Sequence, residues 1–366
     1  MKQRIFHPIG QGAFYTEKHD NLNIVFDCGN WKKSKRASKT VSQSFKKTDV
    51  IKILFISHFD FDHVSLIPTL KNSVANIEIV VMPLLHENEK FFLINLYRIL
   101  GFDFIELIRN PASFFGEKTK IIYVNSSSPQ KILENQENMD ISTLETNTEI
   151  KSGTKLLLST ELPDWVFIPY NFEYPQRSTD LENKLRNAGF NVSKLKNDAK
   201  YTLDEIVSDI NLTVKKGGKL FQQIYDSLKG KINQNSMILY SGPTEDSYKT
   251  YKKRIFIPYK PHFFKRSFTN DVGCVYSGDS DFNVISIDSI YRNFWTFIGT
   301  VQIPHHGDLK CFESSFLNKT LFCPFSYGTN NNYGHPSTVV TAEIHNRGSL
   351  PIYVNENLNT AYIEAF

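Results

Sequence analysis

The chain has 366 residues, 40% hydrophobic and 22% charged, which exceeds one average domain and can bury a large core. Lys and Arg number 42 against 38 Asp and Glu, and this formal charge of +4 is too mild to mark a nucleic-acid binder by itself. No run approaches the ~20 apolar residues of a membrane span, and the opening MKQRIFHPIGQG lacks an apolar signal segment. Four scattered cysteines (Cys28, Cys274, Cys311, Cys323) without a CxxC point to the reduced thiols of a cytoplasm rather than to a disulfide framework.

In chain order, short apolar and β-branched runs predict buried strands at Ile24–Phe26, Ile51–Ile56, Ile77–Met82, Lys155–Leu158, Ser236–Tyr240, Val272–Tyr276, Thr300–Ile303 and Leu321–Phe322. Each ends in a turn signal, often Gly, Pro, Asp or Ser. Helical spacing is found at Glu87–Leu100, Asp180–Ala188, Leu203–Ile210 and Leu220–Leu228. Residues 125–153 are rich in Asn, Ser, Glu and Thr and read as a long surface excursion. The pattern predicts an α/β chain in three parts. Residues 1–84 form a first half-domain and 235–366 a second; residues 85–234 are an insertion with some core strands around 119–170.

The densest chemistry is Ser57-His58-Phe59-Asp60-Phe61-Asp62-His63, directly after the apolar run ending at Ile56. Two imidazoles and two carboxylates within six residues at a strand mouth can hold two metal ions side by side. His58, Asp60, Asp62 and His63 are therefore candidate ligands. Asp27, at a strand end beside Cys28-Gly29, can orient a ligand from behind. Asp279 follows an apolar strand and Ser277-Gly278, where a carboxylate can bridge two cations. His305-His306 presents two imidazoles to opposite sides of a strand end. One can ligate while the other faces the scissile group, and spacing alone does not tell them apart. We assign His305 to the metal, and His306 with Asp62 to proton transfer. His335, in Tyr333-Gly334-His335-Pro336, can ligate or bind a substrate oxygen and is also a catalytic candidate.

His58, Asp60, Asp62 and His63 resemble the metal-binding loop of metallo-β-lactamase-fold hydrolases, usually H-x-H-x-D-H. Asp60 stands where a His is more common. That form resembles the branch that includes the C-terminal domain of the DNA-uptake (competence) channel protein ComEC. Ile9-Gly10-Gln11-Gly12, Phe26-Asp27-Cys28-Gly29, Asn235-Ser236-Met237, Ser277-Gly278-Asp279, Pro304-His305-His306-Gly307 and Tyr333-Gly334-His335-Pro336 are similar to further elements of that branch, in its order. The resemblance implies an αββα four-layer sandwich with a large mid-chain insertion, and two divalent ions (Zn or Mn) bridged by Asp279. It also implies, by analogy with stand-alone relatives, a component of bacterial antiviral defence. One departure stands out: the family's middle His has no clear counterpart, since His86 and His262 both lack a convincing context.

Two stretches bear on the substrate. Residues 32–47 and 249–266 each hold seven Lys or Arg and no acid, the second interleaved with aromatics. Backbone neutralisation plus stacking platforms suit single-stranded nucleic acid, and Lys252, Lys253, Arg254, Lys265 and Arg266 are the candidate contacts. The leading expectation is a metal-dependent phosphodiesterase or nuclease acting on DNA or RNA. The competing ones are a hydrolase of a small ester, thioester or lactone, and a non-catalytic binding module of a larger assembly. The insertion is a candidate lid or partner-docking surface.

Overall fold

The computed structural model describes residues 2–32, 34–99, 101–102, 105–128, 137–198, 200–201, 203–210, 219–220, 223–224, 235–247, 251–256 and 271–366. The chain divides into two compact units. The larger comprises 1–83, 119–172 and 236–366, and the smaller comprises 84–118 and 173–235.

The larger unit contains two sheets. In the first, the strands run in the order Arg254–Phe256, Tyr362–Ala365, Lys2–Phe6, Phe14–His19, Leu22–Cys28, Val50–Phe55, Asn76–Pro83, Lys120–Val124 and Thr148–Ile150. In the second the order is Leu350–Val354, Phe322–Ser326, Ile298–Val301, Gly273–Tyr276, Asn235–Pro243, Leu162–Glu173, Lys155–Leu158 and Asn138–Asp140. Their apolar faces share one core. Tyr276 stacks on Phe26 (ring centroids 4.6 Å apart) and Tyr15 (5.7 Å), while Phe55 of the first sheet meets Phe167 of the second at 5.4 Å. Burial on both faces explains why these strands are near-continuous apolar runs rather than alternating ones.

Strand direction positions the site. From Leu22–Cys28 to Thr148–Ile150 the first sheet is parallel, as is the second from Gly273–Tyr276 to Leu350–Val354. Phe26 pairs with Phe55, so Asp27 and the loop after Ile56 leave the first sheet at one end. Crevices outside the carboxyl ends of parallel strands are where open α/β sheets bind ligands. A hydrogen bond from the Met237 amide to the Ser57 carbonyl (2.9 Å) ties the two sheets together there.

Most expected elements are present, with shifted ends: Ile298–Val301 and Phe322–Ser326 replace Thr300–Ile303 and Leu321–Phe322, and the helix expected from Asp180 begins at Pro175. Residues 125–153 are not simply a surface excursion, because Thr148–Ile150 forms the edge of the first sheet and Ile141 and Ile150 are buried. Their polar neighbours fill turns and hide that contribution. The expected helix Leu220–Leu228 lies largely outside the described residues. Among the described residues, no helix is long and apolar enough to cross a membrane.

Candidate metal centre

Eight side chains converge at the carboxyl ends of both sheets. The first sheet delivers Asp27 after Phe26 and His58, Asp60, Asp62 and His63 after Ile56; the second delivers Asp279 after Tyr276 and His305-His306 after Ile303. All of these residues are buried. Glycines permit the approach: a Cβ on Gly29 would lie 2.4 Å from the carbonyl carbon of Asp62, and one on Gly278 2.8 Å from the Ser57 Cβ. Asp27, His305 and His306 adopt φ of 52°, 48° and 57°, left-handed values that cost non-glycine residues on the order of 1–3 kcal/mol each. Such strain persists where the surroundings impose it, and here it aims all three side chains into one cluster.

Hydrogen bonds fix the imidazoles. The carboxylate of Asp27 accepts from the Ser57 amide (2.7 Å), the Ser57 hydroxyl (2.6 Å) and His63 Nδ1 (2.8 Å). With its proton committed to Asp27, the Ser57 hydroxyl accepts from His58 Nδ1 at 2.8 Å. His306 Nδ1 donates to the Ser326 carbonyl at 2.5 Å. Each of the three rings is thus anchored through Nδ1, and its Nε2 faces carboxylate oxygens. His58 Nε2 is 3.5 Å from Asp279 and 3.6 Å from Asp60; His63 Nε2 is 3.4 Å from Asp279; His306 Nε2 is 3.0 Å from Asp62.

An Nε2 atom and a carboxylate at these distances call for positive charge between them, from a proton or a cation. The buried Nε2 atoms of His58 and His63 and the Oδ1 of Asp60 have no hydrogen-bond partner. Nitrogen and carboxylate donors held from behind by Asp27, Ser57 and a backbone carbonyl are the set that a divalent cation requires. Among the described residues, two groups of three have suitable convergence, namely His58, His63 and Asp279, and Asp62, His63 and His306. The residues present therefore fit a metal. Electrostatics agree. Burial opposes the charge of His63, but Asp279 and Asp27 outweigh it and hold the imidazole well above its usual pKa. Burial likewise opposes ionisation of Asp279, yet His305, His63 and His58 hold it well below the usual carboxylate range.

The candidate residues divide as follows. His58, Asp62, His63 and Asp279 meet at the centre, as does His306. Asp60 flanks His58 outside either group of three, and burial pushes its carboxyl up. His305 is also outside them. Its Nδ1 lies 3.0 Å from Asp279, and although burial opposes its charge, Asp279 raises its pKa to about 10. His335 is half-buried in the loop shaped by Asn331, and burial together with the charges of His306 and His305 lowers its pKa to about 4. His86 belongs to the smaller unit, where its amide donates to Glu89; His262 lies outside the described residues.

Sequence reasoning missed three positioning groups. Ser57 bridges Asp27 and His58. The Ser236 hydroxyl accepts from the Asp279 amide at 3.1 Å, and the Gln302 amide oxygen accepts from the Ser277 amide at 2.9 Å. A buried Gln inside the apolar run Thr300–Ile303 was the available signal.

Among the expected nucleic-acid contacts, Lys253 requires a correction. Lys253 is fully buried, and its ammonium donates to Glu364 and Thr300, each at 3.0 Å. It lies toward the other end of the strands: Thr300 pairs with Phe322, and Ser326, the residue touching His306, is about 13 Å further along that strand. Lys252 and Arg254 are exposed, Arg254 in the edge strand of the first sheet, whereas Lys265 and Arg266 lie outside the described residues. The other basic stretch carries the helix Lys35–Gln43.

Residues 12–133 match the model of the metallo-beta-lactamase superfamily. This is a metallo-beta-lactamase fold. The matched segment carries Asp27 and the whole 58–63 loop of that fold, and the second half of its site comes from beyond the match. No curated protein matches the chain. Among solved structures it is similar to the short form of human tRNase Z, at 10% identity and a TM-score of 0.37, covering 96% of this chain and 92% of that one. It is also similar to the metallo-beta-lactamase fold protein YhfI from Bacillus subtilis, at 9% identity, a TM-score of 0.38 and coverage of 99% and 100%. A subclass B3 metallo-beta-lactamase from a soil metagenome library gives 10% identity, a TM-score of 0.32 and coverage of 84% and 78%.

Proposed function

We propose that this metal-dependent hydrolase cleaves phosphodiester bonds in DNA or RNA. The observation that carries the hydrolase reading is the set of imidazole Nε2 atoms converging on carboxylates at 3.0–3.6 Å. Two divalent ions, Zn or Mn, held by His58, His63, Asp279, Asp62 and His306, would acidify a water and neutralise charge developing on a phosphate. The chain's own groups do the rest. Asp27 and Ser57 anchor Nδ1 of His63 and His58 and so aim their Nε2 atoms into the centre, and His305 orients the Asp279 carboxylate through its Nδ1. His335, at the rim, offers its ring to a substrate oxygen. In the overall reaction the water oxygen bonds phosphorus, the ester P–O bond breaks, and the leaving oxygen takes a proton. The acid-free basic segment 32–47, which follows closely on Asp27, supports a polyanionic substrate. Asp60 in place of a second loop histidine supports the ComEC-type branch.

The test is elemental analysis of protein purified without chelator or His tag, alongside cleavage of a labelled oligonucleotide and of bis(p-nitrophenyl) phosphate. About two ions per chain, lost in Asp279→Ala together with both activities, is the expected result. Protein that takes up no Zn or Mn overturns the hydrolase reading. Metal-loaded protein that hydrolyses a thioester or lactone but neither phosphodiester overturns the substrate.

A further inference from the structure

Phe61 sits in the sequence between Asp60 and Asp62, so its Cα is one peptide, about 3.8 Å, from the Cα of each. Its two neighbours are buried in the centre, but Phe61 itself is only half-buried. The half-buried Trp31 approaches it edge-on, with ring centroids 6.5 Å apart and planes at 88°. Neither ring belongs to the core shared by the sheets.

The pair is fixed to the centre by its backbone. The Trp31 amide donates to the Gln11 carbonyl (2.8 Å), and the Asn30 side-chain amide donates to the Ile9 and Gln11 carbonyls (2.8 and 3.0 Å). The Asn30 amide donates to the Ser65 hydroxyl, which donates back to the Asn30 carbonyl, and the Leu66 amide donates to the Cys28 carbonyl. Segment 28–31 is thus clamped to the short helix Phe61–Val64 that carries Asp62 and His63.

Cationic side chains follow at once. Lys32 is exposed, and Ser34 then caps the helix Lys35–Gln43 by accepting from the Ala37 amide. Ala37 and Val41 bury one side of that helix, while Lys35 and Lys39, four residues apart, share another and are exposed. Arg36 feels the carboxylate of Glu356, but no acid occurs between residues 32 and 47 to neutralise the lysines locally. A half-exposed aromatic pair beside a phosphoryl-transfer site, continued by a lysine track, is the composition of a stacking platform with backbone neutralisation.

We infer that Trp31 and Phe61, with Lys32, Lys35 and Lys39, form the subsite that receives a base and the adjoining backbone of a single-stranded nucleic acid. This rests on the phosphodiesterase reading and gives its substrate a place to bind. The test measures anisotropy of a fluorescein-labelled oligothymidylate and an oligouridylate in excess chelator, so that binding is read without cleavage. Trp31→Ala is expected to weaken binding roughly 5- to 100-fold, and Trp31→Phe to restore most of it. Charge reversal of the three lysines together is expected to lower the slope of log affinity against log salt by about 2. Thermal unfolding and Zn or Mn uptake verify that each variant is folded. Unchanged affinity in Trp31→Ala and the triple lysine variant, or binding abolished by Lys252→Glu with Arg254→Glu instead, overturns the subsite. Hydrolysis of bis(p-nitrophenyl) phosphate by wild-type protein that binds neither oligonucleotide overturns the nucleic-acid substrate while leaving the hydrolase intact.

Discussion

Arg4, Glu17, Lys253 and Glu364 form one buried charged cluster between the sheets, and His58, His63, Asp62, Asp279 and His306 form another at the strand ends. In the first, every charge meets its opposite. Arg4 donates to Glu17 at 2.8 Å, to Glu364 at 2.5 Å and to the Val272 and Ser241 carbonyls, while Lys253 donates to Glu364. Tyr276 and Ser241 complete Glu17, and Thr300 and Tyr362 complete Glu364. In the second, the buried Nε2 atoms of His58 and His63 have no hydrogen-bond partner. Burial alone therefore does not distinguish a structural cluster from a functional one; hydrogen-bond completeness does. The first cluster is a finished lock, and the second is a set of donors arranged for a cation.

The comparison breaks most visibly at Glu364. Replacing it with Ala strands Arg4 and Lys253 without their shared anion, and the expected loss is about 3–5 kcal/mol in urea unfolding. Zn or Mn uptake by the protein that remains folded should persist, because the lock and the centre use different residues.

Acid should open the lock by a smaller increment. Burial opposes ionisation of Glu17 and Glu364, but Arg4 and, for Glu364, chiefly Lys253 hold both carboxyls at about 2. Their folded pKa values lie below the unfolded ones, so the unfolded state binds more protons as pH falls. The stability they contribute is complete above the ordinary glutamate range and declines as pH drops from about 4.5 through about 2. Unfolding free energies measured between pH 6 and 3 should fall in the wild type and fall less steeply in Arg4→Met.

The smallest effect sharpens the other side. Asp27 touches no proposed substrate and acts through His63 and Ser57. Asp27→Asn should weaken Zn or Mn affinity roughly 10- to 100-fold, the range for partners that orient a ligand from behind, as read by calorimetric titration. Unchanged affinity would show that the imidazoles are oriented without it.

The centre was legible in the sequence because its candidate residues cluster. Four of them fall within residues 58–63, and the rest sit where apolar runs stop: Asp27, Asp279 and His305-His306. What spacing could not supply was the roles of His305 and His306. Adjacent residues with left-handed φ point apart, and only the folded strand ends show that His306 faces Asp62 while His305 faces Asp279. Lys253 misled for a related reason. A lysine in a basic, aromatic stretch looks solvated until a partner from the far end of the sequence, Glu364, is brought beside it. Edge strands such as Thr148–Ile150 were hidden by short length and polar company.

The strand order of the first sheet constrains how the molecule is made. Lys2–Phe6 pairs on one side with the hairpin strand Phe14–His19 and on the other with Tyr362–Ala365. On a ribosome, that second edge stays bare on the order of tens of seconds, while the residues between the two strands are synthesised. Over that interval Arg4 has Glu17 from its own hairpin but not Glu364. The strand Tyr362–Ala365 thus covers an edge open to wrong pairing and delivers the Glu364 anion of the lock in the same event.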